Sequence, residues 1–127
     1  MTPQDKYRID VEAQSTFVAE QSSPDEDNYV FSYRIVIRNV GHVAAQLVSR
    51  HWIITDADGK EQEVRGLGVV GEQPIIEPGQ SFEYSSACTL ETSFGTMRGS
   101  YQMQASDGSR FEADIPEFVL SGPRVLH

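Results

Sequence analysis

The amino-acid sequence predicts an all-β protein, a fibronectin type III or immunoglobulin-like antiparallel β-sandwich. Apolar and polar residues alternate with a period of two through most of the chain, which puts one face of each strand in a core and the other in water. About seven such runs are separated by turn residues at short intervals. No stretch of helical length has apolar residues at helical spacing, so no substantial helix is expected. A small closed barrel is the alternative arrangement of the same strands.

The first run sets Tyr7, Ile9, Val11 and Ala13 against Arg8, Asp10, Glu12 and Gln14. The acidic connection Ser22-Ser23-Pro24-Asp25-Glu26-Asp27 follows and reads as a solvated, flexible link. In the second run Tyr29, Phe31, Tyr33, Ile35 and Ile37 share one parity, opposite Ser32, Arg34 and Arg38. From Leu47 to Thr55 the chain is more uniformly apolar, as in a central strand covered on both faces or one whose outer face is not simply solvated. Trp52 is then the core tryptophan of that strand. Later runs align Phe82, Tyr84, Cys88 and Leu90, then Tyr101, Met103 and Ala105, then Phe111, Ala113 and Ile115. Asp58-Gly59 and Asp107-Gly108 suit hairpin turns with positive φ, and Pro78-Gly79 suits a type II turn. Pro3, Pro116 and Pro123, near the ends, are expected to blunt sheet edges.

The length of 127 residues is that of one domain, read here as spanning 1–127. Ten Lys and Arg against nineteen Asp and Glu leave a formal charge of −9. That balance disfavours binding to nucleic acid, where counterion release needs a basic surface, and to anionic membranes. Proteins, cations and small ligands held by a local site remain as partners. The single cysteine, Cys88, excludes an intrachain disulfide and a Cys-based zinc cluster, in keeping with a reducing compartment. No run approaches a membrane span, and Met1-Thr2-Pro3-Gln4-Asp5-Lys6 lacks the regions of a signal peptide. A soluble, cytoplasmic protein is expected.

Gly66-Leu67-Gly68-Val69-Val70-Gly71 matches G-x-G-x-x-G formally. In a dinucleotide fold those glycines open a helix that holds the pyrophosphate. Here Pro74 and Pro78 follow too closely for such a helix, and no βαβ pattern surrounds them. Three readings remain for Arg65 to Gly71. The glycines permit positive φ or close backbone approach in a bulged connection. Their amides form a nest for pyrophosphate or a nucleotide, with Arg65 adding a charged contact. Or the loop is a recognition surface, with Val69 and Val70 as exposed apolar anchors.

Other candidates are weaker. His42, His51 and His127 are scattered, and His51 reads as a half-exposed strand residue on the face opposite Trp52. With a carboxylate from a neighbouring strand it would contribute to a divalent-cation site. Asp25-Glu26-Asp27 and Asp56-Ala57-Asp58-Gly59 lack the spacing of a calcium loop. No serine lies in G-x-S-x-G, no triad can be assigned, and Cys88 falls on an inward parity where a thiol is inert.

Several unusual strings occur together: Leu47-Val48-Ser49-Arg50-His51-Trp52-Ile53-Ile54-Thr55-Asp56, Val64 through Pro74, and Pro78-Gly79. Phe82-Glu83-Tyr84-Ser85-Ser86, Gly95-Thr96-Met97-Arg98-Gly99 and Ile115-Pro116-Glu117-Phe118 continue the set. In this order, over nearly the whole chain, they closely resemble the bacterial ApaG family, also called CorD. The resemblance implies a fibronectin type III-like sandwich. It also implies a protein-interaction role, since related eukaryotic domains are fused to F-box proteins and to a polymerase-delta-interacting protein. The bacterial gene is often associated with that of a diadenosine tetraphosphatase, and the second name reflects a link to cobalt resistance and magnesium efflux.

The expectation is a non-enzymatic protein-interaction module with no cofactor, no metal site, and no nucleic-acid or membrane partner. Its candidate surface is Arg65, Gly66, Gly68, Val69, Val70 and Gly71. The alternatives are small-anion binding by the glycine loop and divalent-cation binding. Exposed strand edges leave a homodimer open.

Overall fold

The computed structural model describes residues 3–122, so Pro123 and His127 lie outside the described residues. One helical turn, α1 (Pro3–Lys6), precedes eight strands. These are β1 (Ile9–Phe17), β2 (Tyr29–Asn39), β3 (Ala45–Asp56), β4 (Glu61–Leu67), β5 (Ile75–Ile76), β6 (Ser81–Leu90), β7 (Phe94–Ala105) and β8 (Arg110–Ser121). One sheet has the order β1-β2-β6, and the other has β4-β3-β7-β8, with β5 also paired to β3. Every pairing is antiparallel. The two sheets form a sandwich, as the alternation predicts.

The core lies between them. Phe31, Tyr33, Ile35 and Ile37 of β2 face Trp52 and Ile54 of β3 and Met97, Tyr101 and Met103 of β7. β1 and β8 pack against each other along one side of the sandwich, where Ser15 Oγ donates to the Val119 carbonyl at 2.6 Å. On the other side β4 and β6 stand apart with a cleft between them. The three predicted turns form at Asp58-Gly59, Pro78-Gly79 and Asp107-Gly108.

Two features depart from simple alternation. The β3–β7 register shifts between Leu47 and Ser49, so Leu47 and Trp52 both face inward although their parities differ. This bulge explains the uniformly apolar run read there. A second shift, between Met97 and Gly99, falls opposite Pro116. Pro116 therefore sits inside β8, at a bulge on an edge strand, rather than blunting a terminus. The acidic link expected to be flexible is ordered into short 3₁₀ turns. Ser22 Oγ donates to the Val18 carbonyl and accepts the Val30 amide, tying the link to β2.

Candidate functional site

Arg65, Gly66 and Leu67 do not belong to a loop. They complete β4, opposite His51, Arg50 and Ser49 of β3, because pairing with β3 carries the extended backbone two residues past Arg65. Arg65 points outward, with Nη2 3.7 Å from Glu63 Oε2. His51 Nε2 lies 3.4 Å from the same carboxylate oxygen, so Glu63 is shared by both. Farther along this outer face Ser49 Oγ donates to Gln102 Oε1 at 2.7 Å. Gln102 Nε2 and Ser100 Oγ both donate to Glu112 Oε2, at 3.1 and 3.0 Å. The Gln102 amide, then the Ser100 hydroxyl, hold the Glu112 carboxyl below its usual range.

The connection proper begins at Gly68, whose amide donates to the Val48 carbonyl at 2.8 Å. Val69 and Glu72 then exchange both backbone hydrogen bonds, at 2.8 and 2.9 Å. The two residues between them, Val70 and Gly71, have φ of 44° and 81°. Positive φ at both central positions matches a type I′ hairpin turn. The hairpin corrects one expectation. Val69 is not an exposed anchor but is 1% exposed and part of the core, since its position beside the turn aims its side chain between the sheets. Val70, at the tip, is the exposed one.

The residue that sequence reasoning missed is Arg50. It shares the inward parity of Trp52 and Ile54, which was legible, but what it meets was not. Its Nη1 donates to the carbonyls of Leu67 and Gly68, at 3.0 and 2.8 Å. The guanidinium crosses over Gly66, the one residue of β4 without a side chain to block it. Among the described residues no carboxylate lies within ion-pairing distance of Arg50. Its charge reaches the hydroxyls of Tyr33, Tyr84 and Tyr101 and favours their ionised forms, but burial dominates and raises all three. The hydroxyls of Tyr84 and Tyr101 are 2.5 Å apart.

Behind this cluster Trp52 is 2% exposed, and its indole N–H has no acceptor among the described residues. Tyr101 and Phe118 stand edge-on to its ring. Burial pushes the Cys88 thiol up to about 11, with Sγ 3.7 Å from Met97 Sδ. Among the described residues no group of three or more His, Cys, Asp and Glu is placed to hold a metal ion, and no helix is long and apolar enough to cross a membrane.

Comparison with known proteins adds a family. The ApaG domain matches residues 19–105. A protein of Aromatoleum aromaticum named Protein ApaG is 63% identical over the full length of both chains. The chain belongs to the ApaG family. A second Protein ApaG, from Dechloromonas aromatica, is 59% identical, again over all of both chains. The crystal structure of a Bordetella pertussis protein provisionally called ApaA superposes with a TM-score of 0.92 at 50% identity, covering 97% of this chain and 100% of that one. The matched domain includes β2 to β7, and therefore Arg50, Gly66 and the whole hairpin.

Proposed function

We propose that this ApaG-family chain is a non-enzymatic interaction module that binds another protein in the cytoplasm along the β4–β5 edge of its larger sheet. The observation that carries this reading is an exposed apolar trio around the hairpin. Leu67 is 75% exposed, Val70 56% and Ile75 64%. Val70 adds a second sign, because a β-branched residue with φ near 44° is strained where glycine or asparagine would rest easily.

The loop is also held rigid. The amides of Gly68, Val69 and Glu72 are engaged by backbone carbonyls, and Arg50 ties down the carbonyls of Leu67 and Gly68. Amides so engaged favour an apolar recognition surface over an anion nest, and a pre-ordered loop binds with little entropic cost. The test is capture of a partner from cell extract by immobilised protein, compared with a Leu67→Ser, Val70→Asn, Ile75→Thr variant. The variant should fold and lose the partner. Equal capture would place the interface elsewhere.

A further inference from the structure

A second surface lies on the open side of the sandwich. β6 pairs with β2 along one edge only, and its ten residues run without a register shift. It carries none of the devices that protect exposed strands: it has no lysine, no proline and no bulge. Its outward residues Ser81, Ser85, Ala87 and Thr89 are small and uncharged, and the exception, Glu83, is neutralised by a bidentate Arg34. β4, the facing edge, instead carries the outward charges Glu61, Glu63 and Arg65.

Between the two edges runs a cleft of about 350 Å³, walled by Val64, Trp52, Ile54, Cys88 and Met97. Its ends have opposite charge. At the Ser86 end stand Tyr33 and Arg50, whose Nε and Nη2 groups make no hydrogen bond among the described residues. At the Thr89 end the cleft opens into a hollow lined by Glu26, Asp27, Asp56, Glu61 and Glu91. Lys60 faces Glu91 at 4.0 Å and Arg98 faces Glu61 at 3.5 Å, which leaves the hollow net negative.

We propose that this cleft receives an extended segment of a partner protein, added antiparallel to β6, with a basic residue first, small apolar residues at alternate positions, and an acidic residue last. The backbone of the segment pairs with the free edge of β6. Side chains opposite Cys88 and Ser86 point into the cleft, because paired residues share a face. Antiparallel addition brings the start of the segment to the carboxylates and its end to Arg50. A second copy of β6 would suit the edge but not the cleft, since its inward side chains are covered by their own second sheet. The proposal takes from the preceding section only that the partner is a protein; the surface is a different one.

The probe is the acetylated, amidated peptide Lys-Thr-Val-Thr-Val-Thr-Glu, titrated into labelled full-length protein and followed by amide NMR. Its control is the same peptide with Lys and Glu exchanged. Saturable shifts on Ser85–Leu90 and the Trp52 indole are expected, with the control at least tenfold weaker. The exposed charge reversals Glu26→Lys and Glu91→Lys, made together, bring the hollow close to neutral and should shrink that preference to the part Arg50 supplies, without touching the core. Equal affinity for both peptides, no saturation at millimolar peptide, or shifts confined to Leu67–Ile75 would overturn the proposal. Such a failure would leave the hairpin test standing, because none of its substitutions lines this cleft.

Discussion

The guanidinium of Arg50 rests where a side chain on Gly66 would begin: a β-carbon there would lie 2.8 Å from Nη2. The first glycine of the G-x-G-x-x-G string leaves the room that this contact needs. Gly66 lets Arg50 pass beneath β4 and fasten the hairpin that follows. Each glycine of the string then answers a different demand, and the three should differ when replaced.

Gly68→Ala should be the most destabilising of the three, at about 2–4 kcal/mol, because the added carbon would sit 2.2 Å from the Glu72 carbonyl oxygen at a φ of 61°. Gly66→Ala should cost about 1–2 kcal/mol, since the flexible Arg50 can move but loses its hydrogen bonds to the carbonyls. Gly71→Ala meets nothing within 4 Å and should cost only the positive-φ strain, about 1 kcal/mol. Urea denaturation of the three variants tests the order, and a Gly71→Ala costlier than Gly68→Ala would refute it.

Val70→Asn should stabilise the protein. It turns the hairpin into Asn-Gly, the pair best suited to positive φ at both positions, and relieves roughly 1 kcal/mol of strain. The same substitution should weaken partner capture. A lower melting temperature for the variant would mean that Val70 is not strained.

Asn39 is 1% exposed, and its side chain donates to the carbonyls of Val43 and Ile76 while accepting the Gly41 amide. Asn39→Ala removes three hydrogen bonds to the backbone, one of them fully buried, and should cost about 2–4 kcal/mol. Retained stability in chemical denaturation would show that water replaces the amide.

Alkaline pH should unfold the protein through its buried acids. The Cys88 thiol is raised from 9.0 to about 11, so between those values the unfolded chain loses its proton first. The stability is intact below pH 9 and falls by roughly 2–3 kcal/mol as pH rises to about 11. Tyr84 and Tyr101, also raised by burial, extend the loss upward. Melting temperatures across this range should fall less steeply for Cys88→Ala. At pH 8 the native thiol should alkylate about a hundredfold more slowly than in unfolded protein.

Alternation along single strands predicted the sandwich and the inward parity of Cys88, the apolar run from Leu47 to Thr55 predicted a core Trp52, and the Asp-Gly and Pro-Gly pairs predicted the three turns. Those features depend on near neighbours in the chain, because side-chain direction repeats every two residues and turn chemistry occupies three or four. The shift between Leu47 and Ser49 has no such local mark. Neither has the burial of Val69, the meeting of Arg50 with Gly66, nor the open cleft between β4 and β6. Each depends on which strands pair and in what register, and residues sixteen or more positions apart along the chain meet only when the sheets assemble. Local spacing therefore specified the strands, and long-range pairing chose the surfaces they present.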